Sequence, residues 1–187
     1  PITLKKIRWI RAAENYIHSL GYGLVRVRVK GNTARIEVAK EDVEDLMRAF
    51  VDGDIDTVRD GLSQYLEILT SSFDAAKGKE SFYHGFVLGM TATLTGDYQI
   101  RSNRESGFGR YDIAAFPRQE GMRGMMIECK TAEDEDMLEE EAQAALQQIL
   151  DRDYDAEFRA QDVASVLHYG IAFCGKNVCV QQEIVNF

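Results

Sequence analysis

Two apolar runs separated by a polar turn constrain this chain more than any other feature. Residues 110–116 read RYDIAAF and residues 123–130 read RGMMIECK, with Pro117-Arg-Gln-Glu-Gly-Met122 between them. Short apolar runs bounded by turn residues read as strands. Pairing them as a hairpin centred on Glu120 puts Asp112 opposite Glu128, with Cβ atoms about 5 Å apart. Side chains alternate along a strand. Lys130 therefore shares a face with Glu128, while Cys129 points into the other layer with Ile127 and Met125.

Like charges directly opposite each other destabilise a sheet, and a divalent cation between them reverses the sign. Magnesium takes oxygen ligands, keeps most of its water and is commonly held by one or two carboxylates. The Cys129 carbonyl is a candidate further oxygen. A lysine beside the ion can orient an attacking water and offset charge developing on a phosphate. Asp112, Glu128 and Lys130 thus suit metal-assisted phosphodiester hydrolysis with Mg²⁺ or Mn²⁺. A surface ion network of the same three residues is the alternative that spacing leaves open.

The remaining pattern places this hairpin in an α/β frame. Residues 3–20 carry Leu4, Ile7, Ile10, Ala13 and Ile17 at helical spacing, and Gly21 and Gly23 stop the run. Residues 24–29 and 33–38 alternate apolar and polar across a Gly31-Asn32 turn, as a hairpin does. Helices are predicted over 41–50, 54–70, 80–93 and 134–153. Loops are expected at 75–79 and 102–109, with a short strand at 98–101. A final strand pair, 167–174 and 178–183, turns at Gly175-Lys176-Asn177. The acidic run Glu133–Glu141 opens a helix, where the macrodipole favours negative charge. The second half reads as helix, three strands, helix, two strands around a small mixed sheet.

Charge is divided unevenly. Residues 1–35 hold eight basic groups and one acid, a net of +7, which leaves −16 on the rest of a chain whose total is −9. A basic front suits either a solvated face or a phosphate-facing surface, and Arg26 and Arg28 on the first hairpin strand are its candidate contacts. No apolar run approaches the roughly 18 residues that span a bilayer. No signal-peptide pattern opens the residues given. The three cysteines match neither a disulfide framework nor a zinc set, which predicts small core residues in a reducing cytoplasm.

Five separated motifs occur in order: Glu80-Ser-Phe-Tyr-His-Gly85, Ser102-Asn-Arg-Glu-Ser-Gly-Phe-Gly-Arg-Tyr-Asp-Ile113, Ile127-Glu-Cys-Lys130, Ala145-Leu-Gln-Gln-Ile149 with Tyr154, and Gly170-Ile-Ala-Phe173 with Lys176. Together they resemble the PD-(D/E)xK nuclease superfamily, in the branch usually found C-terminal to an AAA-type ATPase-like domain. The resemblance covers about residues 45–187 and implies a restriction-endonuclease-like core. It implies Asp112 and Glu128 as metal ligands, Lys130 as the catalytic lysine and Glu80 as a further acid at the metal. Gln148 and Tyr154 match a Gln…Tyr element, Gln148 with a catalytic role. Arg110, Tyr154 and Lys176 are then expected at the nucleic acid, which is DNA by this resemblance. The usual Pro-Asp pair is absent, because Tyr111 precedes Asp112. His84, four residues after Glu80 on the same helix face, is within reach of the site or is a satisfied, half-buried histidine.

Residues 1–42 are similar to the C-terminal tail of ATP-dependent sacrificial sulfur transferases, through Pro1-Ile-Thr-Leu4, Ala13-Glu14, Leu20-Gly-Tyr22, Val25-Arg-Val-Arg28 and Ala34-Arg-Ile-Glu-Val38. The phosphate-binding loop of that family and a sulfur-donating cysteine are missing from this segment, so no sulfur transfer is carried over. The two resemblances imply a fusion of a helix–hairpin appendage, 1–42, with a nuclease-like domain, 43–187. A separate ATPase partner and self-association through the appendage are expectations of the same comparison. The competing expectation is a nuclease fold without catalysis, kept for nucleic-acid binding or assembly.

Overall fold

The structure, a computed structural model, describes residues 3–19, 25–30, 33–38, 40–70, 80–106 and 109–187. Helix α1 (Leu4–Ser19) precedes a two-stranded hairpin of β1 (Val25–Lys30) and β2 (Thr33–Val38), paired from Val25↔Val38 to Lys30↔Thr33. The expected turn at Gly31-Asn32, the stop at Gly21 and Gly23 and the 75–79 loop lie outside the described residues. Glu14 of α1 accepts the Val27 N–H at 3.0 Å. Val27 is buried, and Ile10 and Ala13 pack against the same core as the rest of the chain.

Helices α2 (Lys40–Asp52) and α3 (Ile55–Thr70) are separated by two residues. Gly53 ends α2 at φ +82°, a conformation in which a Cβ is strained. Asp54 then opens α3, its carboxylate accepting from the Thr57 N–H at 3.2 Å and the Thr57 hydroxyl at 2.6 Å. Helix α4 (Glu80–Thr91) follows, burying Tyr83, Val87 and Met90. No helix among the described residues is long and apolar enough to cross a membrane.

The main sheet has five strands in the order β3 (Tyr98–Ser106), β4 (Gly109–Pro117), β5 (Gly124–Thr131), β6 (Ser165–Cys174) and β7 (Asn177–Asn186). Only the β5–β6 pair is parallel. Its crossover carries α5 (Leu138–Asp151) and the short α6 (Ala156–Arg159). This is the mixed sheet flanked by helices that a restriction-endonuclease-like fold requires.

Alternation sorts the strands between two layers. Met125, Ile127, Cys129, Leu167, Tyr169, Ile171 and Phe173 enter the core shared with α2, α3 and α4. Met126, Val166, Ala114 and Phe116 pack on the other side, with Ile149 of α5 and Phe158 of α6. Cys129 is buried as expected, whereas Cys174 and Cys179 are only partly so. Helix α5 lies unusually close to the sheet: a Cβ on Gly170 would fall 2.2 Å from the Ala142 carbonyl oxygen.

One expectation fails. Residues 102–106 form the outer half of β3 rather than a loop. Their polar composition hides the strand, because this half is mostly exposed and β4 supplies its hydrogen-bond partners. Strand propensity measures fit to a half-buried surface and is overridden where pairing comes from elsewhere. At the other end of the chain, β6 and β7 extend past their expected limits, and α6 appears where no element was expected.

Candidate active site

The β4–β5 hairpin turns where its composition predicts, with Gly121 at φ +83°. Its observed register pairs Ala115 with Met125, Ala114 with Met126 and Ile113 with Ile127. The next step outward would pair Asp112 with Glu128, and there the backbone ladder stops. Side chains take over. The Asp112 N–H donates to Glu128 Oε2 at 3.3 Å, and the Cys129 N–H donates to Asp112 Oδ2 at 2.9 Å. Each carboxylate thus accepts a hydrogen bond from the opposite strand. The two acids are held side by side where the strands part.

Their electrostatics follow from this position. Glu128 is 6% exposed. Burial, reinforced by the charge of Asp112, pushes its carboxyl up to about 8, against the pull of the Asp112 amide and of Lys130. Burial also raises the Asp112 carboxyl, opposed by the Cys129 amide, His84 and Lys130. The charge of Lys130 is felt by both acids. Helix α5 adds Gln148, whose side-chain amide donates to Glu128 Oε1. Asp112, Glu128, Lys130 and Gln148 therefore meet in one place.

The other expected residues divide. Glu80, in the first turn of α4, is exposed and acts on Glu128 only as the weakest of the charges raising its carboxyl. Among the described residues no group of three His, Cys, Asp or Glu side chains converges to hold an ion. Tyr154, expected at nucleic acid, is 2% exposed, donates its hydroxyl to the Arg110 carbonyl at 2.7 Å and packs edge-on against Tyr111. Its ring ties the segment between α5 and α6 to β4. Arg110 is exposed at the start of β4, paired with Glu105 of β3 and 3.9 Å from its carboxylate. Lys176, also exposed, pairs with Glu67 of α3 at 3.1 Å. Arg26 and Arg28 lie on β1 opposite Glu37 and Arg35, their side chains outside the described residues.

Sequence reasoning missed Ser102 and Asn103. Both lie beside His84, whose Nε2 is 3.0 Å from Ser102 Oγ and 3.5 Å from Asn103 Nδ2. The signal existed in register form: Ser102↔Ile113 and Arg104↔Tyr111 put Asn103 across from Asp112. Reading 102–109 as a loop concealed it.

The donor set suits a hard divalent cation. Two adjacent carboxylates share a poorly solvated corner with surplus negative charge, and each keeps lone pairs beyond its hydrogen bonds. Ions bound by one or two carboxylates and otherwise by water need no larger cage. A family model described as the PD-(D/E)XK nuclease superfamily matches residues 78–183, more than half of the chain. A search of curated proteins finds no match.

Proposed function

The chain belongs to the PD-(D/E)XK nuclease superfamily, and on that premise we propose that it is a Mg²⁺- or Mn²⁺-dependent nuclease that hydrolyses phosphodiester bonds in DNA. The observation that carries this reading is the exchange at the open end of the β4–β5 hairpin. Two acids, one buried and one partly buried, replace the backbone ladder there, and Lys130 bears on both.

Asp112 and Glu128 would hold the cation. When bound, it would supply charge neutralisation at the scissile phosphate and a more acidic water. Lys130 orients the attacking water and offsets charge developing on the phosphate oxygens. Gln148 fixes the rotamer of Glu128 by holding Oε1, which leaves Oε2 on the Asp112 side. Glu80 acts at longer range, through water. Arg110 and Lys176 contact backbone phosphates beside the site, and Arg26 and Arg28 extend that track. Self-association through residues 1–42 and a separate ATPase partner belong to the same proposal.

Cleavage of supercoiled plasmid and of labelled single strands with Mg²⁺ or Mn²⁺ tests it, comparing the parent with Asp112→Ala and Lys130→Ala. Metal-dependent cutting that disappears in both variants is the expected result. A folded parent that neither cuts nor binds metal by calorimetry would instead identify a nuclease fold retained for binding or assembly.

A further inference from the structure

Asp112 is the only one of the nine β4 residues without a partner in the β3 register, and the β5 register stops one residue short of it. The interruption has a backbone cause. Asn103, directly across on β3, is in the left-handed region at φ +53°, which turns its peptide groups out of ladder alignment. Buried backbone groups need partners, and side chains supply both of those at Asp112. Glu128 accepts its N–H at 3.3 Å. His84 of α4 places Nε2 3.3 Å from its carbonyl oxygen.

A carbonyl oxygen only accepts. The His84 contact is therefore a hydrogen bond only when the ring carries its proton on Nε2. The Ser102 hydroxyl can accept from that tautomer. The Asn103 amide donates to Ser102 Oγ at 3.3 Å, and that same oxygen, 3.0 Å from Nε2, shares the imidazole proton. With that proton on Nε2, the Asn103 amide, 3.5 Å from the same nitrogen, makes no hydrogen bond to the ring and donates to Ser102 alone.

We infer that His84 is a positioning residue: its Nε2–H bond to the Asp112 carbonyl replaces a missing ladder bond and fixes the carboxylate that the proposed cation needs. The inference rests on the metal-dependent reading above. The contribution assigned to His84 is to the orientation of Asp112. Groups that orient a metal ligand typically contribute about 10–100-fold in metal affinity.

The test compares the parent with His84→Ala, His84→Gln and His84→Asn, using Asp112→Ala as reference. Mn²⁺ binding is read by calorimetry, and thermal unfolding is followed without metal. A glutamine amide reaches the place of Nε2, whereas asparagine is too short. His84→Ala and His84→Asn are expected to weaken Mn²⁺ binding about tenfold or more, and His84→Gln to restore it to within about threefold of the parent. Two-bond ¹H–¹⁵N correlation on the folded parent should show the Nε2–H tautomer. Unchanged Mn²⁺ affinity in His84→Ala, glutamine no better than alanine, or an Nδ1–H tautomer each overturns the positioning role while leaving the nuclease reading intact. A folded parent that binds no Mn²⁺ overturns that reading, and this inference falls with it.

Discussion

Beneath α5 and α6 the sheet holds two polar pairs of opposite kinds. His168, fully buried on β6, lies 2.7 Å from Asp155 Oδ1. Asp112 and Glu128, on β4 and β5, set two acids side by side. The first pair is complementary, with a ring nitrogen facing a carboxylate. The second is not: burial and mutual repulsion both work against ionisation of Glu128. A complementary pair explains itself as structure, by joining β6 to the segment between α5 and α6. A like-charged pair lowers stability unless another group binds there, and strongly perturbed acids are the kind that concentrate at functional sites.

The sharpest way to break this contrast is to neutralise one member of the unbalanced pair. Glu128→Gln should reduce Mg²⁺-dependent cleavage about 10³-fold while raising the thermal midpoint of the metal-free protein. A variant that cuts as the parent does would remove Glu128 from the chemistry. The balanced pair should respond in the opposite sense. Asp155→Ala leaves His168 buried without its partner and should cost about 3 kcal/mol in urea unfolding, with cleavage per folded molecule unchanged.

Gly170 probes the support under the site. A side chain there meets the α5 backbone, so Gly170→Ala should cost about 1–3 kcal/mol and, by lifting α5, draw Gln148 away from Glu128. Equilibrium unfolding and metal affinity report the two effects separately. The next effect is a pH dependence. Without metal, the folded protein keeps the Glu128 proton up to about 8, over a range in which the unfolded chain has already released it. Its contribution to stability is complete below the ordinary glutamate range and is lost as pH rises toward 8. The slope from this one proton is at most about 1.4 kcal/mol per pH unit. Added Mg²⁺ should flatten the curve, and Glu128→Gln should abolish this component in urea titrations across that range. The smallest effect belongs to Lys176→Ala. Its exposed ion pair with Glu67 should contribute less than about 1 kcal/mol. If Lys176 meets a phosphate, the variant also lowers the salt dependence of DNA binding by about one ion; an unchanged slope removes it from the track.

Much of this site was legible before any fold. The polar turn around Glu120 sets the register of a short hairpin, because loop and flanking pattern together fix which residues oppose. Strand alternation places Glu128 and Lys130 on one face and Cys129 on the other, and the structure keeps that division. Gln148 came from motif resemblance alone, since nothing local says which residue of a helix reaches a strand twenty positions away. Tyr154 shows the limit of such transfer: a motif tells which residue recurs, and burial tells what its hydroxyl faces.

By itself, the sequence determined the order of elements, the hairpin register and the meeting of Asp112 with Glu128, because strand period and turn chemistry act over a few residues. Only the tertiary structure decided how Asp112 is held. Its carbonyl partner, His84, comes from a helix twenty-eight positions earlier, and the gap it fills is opened by Asn103 on a strand whose composition resembles a loop. Tertiary packing also decided that Tyr154 turns inward. Those outcomes depend on where separate elements dock, and docking is set by cores shared across the chain, not by any stretch read alone.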